Sequence, residues 1–350
     1  MRTRDHGCVR EKKPTVTLRW IAREAAVSLA TVSRALRRPD SVAPDTRDRI
    51  LALFAKHSYV PDARAVTFSS RRTDLVGLIV PTLANSIYAD FTEAIQKHLQ
   101  SAGRKLLIAN ANYSAALERE IVHKLVESRV DGVIFTGFKR DAALYELLQH
   151  YGIPFVVTWA VSPDRDVPSI AFDNRRAASN AMEVLIDLGH RRIGLICGVS
   201  AVNDRAAARL AAYRQTLKRH RIAFDPDIVI EGSFEIAQGA AAARAMMGLF
   251  APPTALFCAN DIQALGALFA CQRLGLEVPR DVSILGFDDL PIAQQVNPPL
   301  STVHVPAKDM GMAAAAALIA AVDSGMPIRS ILIQTSVVLR GSTSRIHKIV

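Results

Sequence analysis

From Leu18 onward, small and apolar positions return at helical spacing. Ile21, Ala22 and Ala25 share one face, and Thr17 stands where an N-cap is needed. Ser28 can cap a second short helix in which Val32 and Leu36 face inward. Leu29, Ala30, Thr31, Ser33 and Arg34 are left on or beside its outer face. The two helices meet across a tight turn at Ala26 and Val27. Pro44 at a first helical position, followed by Ile50, Leu51, Phe54 and Ala55, predicts a third helix that Tyr59 and Pro61 end. Residues 62–68 then read as one more short helix, and polar 69–72 as a linker.

The period changes after Asp74. Apolar runs at 75–80, 105–109, 132–136, 155–158, 169–172, 192–197, 228–231, 254–258 and 282–287 predict strands. Amphipathic stretches at 91–101, 118–127, 175–188, 206–218 and 261–274 predict helices between most of them. Strands alternating with helices require parallel sheets covered on both faces, and the length suggests two lobes rather than one large sheet. The fold class expected is therefore α/β: an all-α helix-turn-helix unit, then a two-lobed core.

Charge sharpens this division. Residues 1–72 carry 16 Lys and Arg against 7 Asp and Glu, an excess of nine out of the net +10, so the remainder is close to neutral. A basic head on a neutral body is the footprint of a polyanion-binding module. Cys8, Cys197, Cys258 and Cys271 lie far apart without C-x-x-C spacing, which points to reduced thiols and to no metal site. No phosphate-loop, H-E-x-x-H or G-x-S-x-G pattern occurs and the histidines are scattered, so no enzyme is expected and no cofactor is called for. No apolar run of membrane-spanning length or export-signal type is found, so a cytoplasmic protein is expected.

The string VTLRWIAREAAVSLATVSRAL at 16–36, continued by Val42, Thr46, Arg47, Ile50, Tyr59 and Pro61, resembles the headpiece of the LacI/GalR family. GLIVPTLANSIYADF from Gly77, VDGVIF from Val130, FDNRRAA from Phe172, LGHRRIGLICG from Leu188, PTALFCANDIQALGAL from Pro253, VPRDVSILGFDD from Val278 and PPLSTV from Pro298 resemble that family's periplasmic-binding-protein-like core. SRALRRPDSV, FDN and CQRLGLEVP give the chain most in common with gluconate-type repressors. In two places it departs from the family pattern: Trp20 stands where an acid is usual, and Ala26 replaces the turn glycine.

The resemblance implies a disordered basic tail at 1–14, a helix-turn-helix headpiece at 15–61, a hinge helix and linker at 62–73, and a core at 74–343. Lobe 1 would comprise about 74–173 and 303–333, and lobe 2 about 174–302 and 334–343, with crossings near Asp173, Val303 and Gln334. It further implies a sequence-specific DNA-binding regulator, a repressor as most relatives are, whose operator affinity a small polar effector controls. Leu29, Ala30 and Arg34 fall on base-reading positions, and Thr17, Ser28, Thr31, Ser33 and Tyr59 on phosphate-facing ones. Phe68 takes the place of the hinge residue that wedges between base steps, with packing at a domain boundary as its other reading. The effector cleft would be lined by Asn85, Ser86, Tyr88, Trp159, Asp173, Asn203, Arg209, Phe234, Asn260 and Asp288. Asp261 and Asp289 are expected to cap helices, and Arg205 to pair with a surface acid. A sugar or sugar acid leads as effector, with a nucleoside or other polar metabolite behind it; inducer and corepressor stay open. A homodimer on pseudo-palindromic double-stranded DNA follows, formed through 310–321 and 75–80, with a tetramer as the alternative. A solute-binding protein without a regulatory role is the competing function; it would lack the headpiece.

Overall fold

Three short helices build the first unit: α1 (Leu18–Glu24), α2 (Leu29–Arg37) and α3 (Pro44–Lys56). Thr17 Oγ1 accepts the Trp20 amide and Ser28 Oγ accepts the Thr31 amide, each at 3.1 Å, so both short helices begin on side-chain caps. Pro44 opens α3 where its missing N–H leaves nothing unsatisfied. Ile21, Ala25, Val32, Ala35, Ile50 and Phe54 meet in a small core. Tyr59 stacks on Phe54, and the ring of Trp20 meets His57 edge-on at 4.7 Å. Between α1 and α2 the chain reverses at Ala26, whose φ of 52° is left-handed.

The computed structural model describes residues 16–37, 39–59 and 72–346. The chain divides into two units between Thr73 and Asp74. The basic tail, Cys8, Pro61, Phe68 and nearly all of the span expected to form the hinge helix lie outside the described residues.

In the second unit, β1 (Leu75–Val80), β2 (Lys105–Asn110), β3 (Gly132–Thr136), β4 (Phe155–Thr158) and β5 (Ser169–Ala171) alternate with α4 (Ile87–Ser101), α5 (Ala115–Glu127) and α6 (Ala143–His150). They form a parallel sheet in the order β11-β5-β4-β3-β1-β2, which β11 (Ile331–Leu332) joins from far along the chain. Next come α7 (Asn174–Asp187), β6 (Ile193–Gly198), α8 (Asp204–Arg219), β7 (Val229–Gly232), α9 (Ile236–Met247), β8 (Ala255–Cys258), α10 (Asp261–Arg273) and β9 (Ser283–Leu285). Their strands make a second parallel sheet, β7-β6-β8-β9. β10 (Thr302–His304) and β12 (Ser336–Val338) pair antiparallel as a separate ribbon, on either side of α11 (Ala307–Ser324). The two-lobed α/β reading holds.

Several details differ from the sequence reading. α4 and α5 begin about a turn earlier than their apolar repeat suggests, α5 because Ser114 caps it through the Leu117 amide. The strands β10 to β12 are too short to show a period. β1 is an inner strand whose side chains are almost all buried, and Met310, Gly311, Ala314, Ala315 and Leu318 of α11 are buried too. β1 and this side of α11 therefore serve the lobe core and are not a free dimerisation face, whereas Met312 on the other side of α11 is exposed. The segment after Thr343, for which the sequence suggested no role, is pinned to lobe 2: Ser344 N donates to Ser283 Oγ, Ile346 N donates to Leu188 O, and the carbonyl of Ser344 lies 3.1 Å from His190 Nε2.

Ala26 adopts a backbone conformation that favours glycine by about 1 kcal/mol. Ala26→Gly should raise headpiece stability by that order, measured by urea unfolding followed through Trp20; a loss of stability would contradict the left-handed turn.

Candidate functional site

On the headpiece, burial sorts the second helix into two faces. Val32 and Ala35 are buried, whereas Ser28, Leu29, Ala30 and Arg34 are exposed and Thr31, Ser33 and Tyr59 are half-buried; Thr17 is exposed as well. Among the described residues, Arg34 is held only by a long 3.4 Å contact from Nε to the Ala30 carbonyl. The outward face thus joins one guanidinium and two small or apolar side chains to a rim of hydroxyls. A face of that kind can enter a DNA major groove, the guanidinium reading guanine and the hydroxyls holding phosphates.

In the core, the carboxyl ends of the two parallel sheets face a shared chamber, where loops can supply polar groups. Asn85, Tyr88, Trp159, Asn203, Arg209, Phe234, Asn260 and Asp288 all line it. Its volume is only about 20 Å³, and chambers of about 350 and 330 Å³ flank it. Arg209 reaches in from α8: Nε donates to Asn174 Oδ1 at 3.0 Å, Nη1 donates to the Ala259 carbonyl at 2.5 Å, and the guanidinium lies 3.6 Å from the centre of the Phe287 ring. Burial pulls its pKa down to about 10, against the attraction of Asp288, so it stays charged at neutral pH. Asn260 Nδ2 donates to Asp288 Oδ2 at 2.6 Å. Burial pushes the Asp288 carboxyl well above its ordinary value, partly offset by Arg209. Trp159 (φ 68°) and Asp288 (φ 124°) both hold left-handed backbone, an expense typical of positions fixed by a site. The indole Nε1 of Trp159 is buried without a hydrogen-bond partner among the described residues. Its ring meets Tyr88 and Phe91 edge-on. Phe234 covers Gly198 so closely that a β-carbon there would stand 2.2 Å from the ring.

Two of the ten residues named from sequence are not brought to this chamber. Asp173 is exposed and caps α7 through the Arg176 amide, on an outer depression with Arg175 and Arg176; its neighbour Asn174 turns inward instead, donating to the Trp159 carbonyl at 2.7 Å. Ser86 is exposed at the start of α4. Asn203 and Asn260 have two duties, since each also caps a helix, α8 and α10 respectively. The cap of α10 is thus Asn260 and not Asp261, whose buried carboxylate accepts Thr302 Oγ1 at 2.6 Å and the Leu290 amide at 2.8 Å. Asp289 caps nothing and pairs with Arg340 and His304. Arg205 pairs with buried Asp204 rather than with a surface acid, and it lines the chamber together with Tyr113. Sequence reasoning missed Tyr113, which touches all three chambers; an aromatic residue just before the cap of α5 was the available signal.

Residues 17–62 match the lacI family of bacterial regulatory proteins, and residues 182–343 match the periplasmic binding protein-like domain. Over 343 residues, 95% of this chain and 98% of the relative, the sequence is 33% identical to the HTH-type transcriptional repressor CytR of Escherichia coli strain K12. The chain belongs to the lacI family. Two solved structures agree with that membership. One is the lac repressor dimer bound to operator and the anti-inducer ONPF, with TM-score 0.81 and 27% identity, covering 94% of this chain and 99% of that one. The other is a complex of the transcriptional regulator CelR with cellobiose, with TM-score 0.69 and 29% identity, covering 93% and 99%. This lacI-family member is a DNA-binding transcription regulator under effector control, and not an enzyme.

Beside the chamber, burial lifts the Asp261 carboxyl to about 6 from an ordinary 3.8, and its hydrogen bonds only partly offset this. A raised native pKa means that the charged form opposes folding above about 6, and that this opposition fades as pH falls from 6 to 3.8. Carbon NMR of labelled aspartates, with the resonance assigned by Asp261→Asn, should show a carboxyl titrating near 6; a midpoint at the ordinary value would contradict the burial described.

Proposed function

We propose that this chain is a repressor that binds a pseudo-palindromic operator as a homodimer in the cytoplasm, on the nucleoid when DNA-bound. Its effector, a sugar or sugar acid, occupies the chamber between the lobes. The observation that carries this reading is the chamber's chemistry: a buried guanidinium, a buried carboxylate, an unpartnered indole N–H and flanking aromatic rings converge from both sheets. Hydroxyls can donate to Asp288 and accept from Trp159, a carboxylate can meet Arg209, and Tyr88 or Phe234 can cover a sugar ring. No helix among the described residues is long and apolar enough to cross a membrane, in keeping with a cytoplasmic site of action.

A chamber of about 20 Å³ cannot take a sugar without parting its walls. Effector binding is thereby tied to the arrangement of the lobes, and through residues 62–73 to how the headpieces are presented. On the headpiece, Arg34 reads guanine, Leu29 and Ala30 make apolar contacts with bases, Thr17, Ser28, Thr31, Ser33 and Tyr59 hold phosphates, and Phe68 wedges between base steps. Support for dimerisation lies on edge strand β2, where Leu107 and Ile108 stand exposed at 42% and 41%. That edge replaces β1 as the surface available to a second copy.

Gel shifts on a genomic operator fragment test the headpiece roles. Arg34→Ala should weaken specific binding by about 1–3 kcal/mol, roughly ten- to hundredfold, with the non-specific complex little changed. Phe68→Ala should also weaken the operator complex while leaving the melting-temperature rise given by a bound sugar intact. Wild-type operator affinity in either variant would remove that residue from the interface.

A further inference from the structure

The lobes also touch at a place outside the chamber. The loop after β3 carries Gly137, Phe138 and Lys139 up to the first turn of α8 in the other lobe. There, Asp204 Oδ2 accepts the backbone N–H of Phe138 at 2.5 Å and that of Lys139 at 3.0 Å, and Oδ1 accepts Arg205 Nη1 at 2.6 Å. Lys139 Nζ donates to the Ala201 carbonyl, a third bond across the same gap. Gly137 has a φ of +76°, and a β-carbon on it would stand 2.8 Å from both Asp204 oxygens and 2.0 Å from Arg205 Nη1. Only glycine lets the loop come this close.

An acid in the first turn of a helix has an ordinary explanation, since it complements the helix dipole. That explanation does not account for the burial of Asp204, at 7% exposed, or for two amide donors reaching it from the opposite lobe. A buried carboxylate is tolerable only when donors satisfy it, and here two of the three donors exist only while the lobes are together.

We propose that Asp204 is a lobe-positioning residue: its carboxylate clasps the 137–139 loop and, through Arg205, fixes a guanidinium on the effector chamber wall. Closure of the chamber is then set partly by a contact between Asp204 and the 137–139 loop, neither of which lines the chamber itself. An effector that parts the lobes must break two charge-assisted bonds, and one that tightens them inherits those bonds. The consequence for the effector rests on the chamber being the effector site; the clasp itself does not.

The test therefore uses neither DNA nor effector. Trp20 and Trp159 are the chain's two tryptophans, so Trp20→Phe in the full-length protein leaves Trp159, 2% exposed on the chamber wall, as the sole reporter of lobe opening. In that background Asp204→Asn should shift the open-to-closed ratio by roughly a hundredfold, the weight of two weakened charge-assisted bonds. The readout is a red shift of Trp159 emission and a rise in its quenching by acrylamide, with helix content unchanged. Lys139→Met, at an exposed residue, should give the same change to a smaller degree. A purely structural Asp204 would lower the melting temperature and leave Trp159 as shielded as in the parent, and that result overturns the proposal. Should Asp204→Asn fail to fold, Lys139→Met decides by the same two outcomes.

Discussion

A guanidinium buried away from water must be answered where it stands, and the cleft is arranged around that requirement at Arg209. The answers come from separate pieces of chain: Asn174 at the start of α7, the Ala259 carbonyl after β8, and the Phe287 ring and Asp288 after β9. Asn174 then donates to the carbonyl of Trp159 after β4, which carries the network from one sheet to the other. Only parallel strands that end together can bring these groups to one point. The sheets are thus a scaffold for the loops at their carboxyl ends.

The same logic explains why the cleft is polar and closed at once. Two of its asparagines, Asn203 and Asn260, cap helices while they face the chamber, so those walls are fixed by the elements they start. The aromatic rings fill what the polar groups leave. A small molecule entering such a space competes with hydrogen bonds that hold the lobes together, and that competition can move a two-state equilibrium.

Much of this was legible in the sequence. The headpiece caps at Thr17 and Ser28, the tight turn at Ala26 and the alternation of strands and helices followed from local patterns, and eight of the ten cleft residues named from the resemblance meet at one chamber. What escaped depended on orientation or distance. Asp173 and Asn174 are adjacent and both polar; which one turns inward is decided by the helix start, where the cap stays outside and the first residue points in. Asp261 looks like a cap until its partners Thr302 and Leu290 arrive from beyond the next strand. Strands of two or three residues, such as β11 and β12, carry no period to read. The dimerisation face went astray for a related reason: an apolar strand reads the same whether it lies inside a sheet or at its edge, and β1 lies inside.

The central claim is that the chamber and the operator-binding face are one coupled system. It is tested most directly by fluorescence anisotropy of a labelled operator duplex titrated with the full-length protein, with and without a sugar or sugar acid that raises the protein's melting temperature. The account predicts isotherms displaced by about 5- to 150-fold, the usual range of allosteric coupling. Superimposable isotherms at saturating ligand would contradict it.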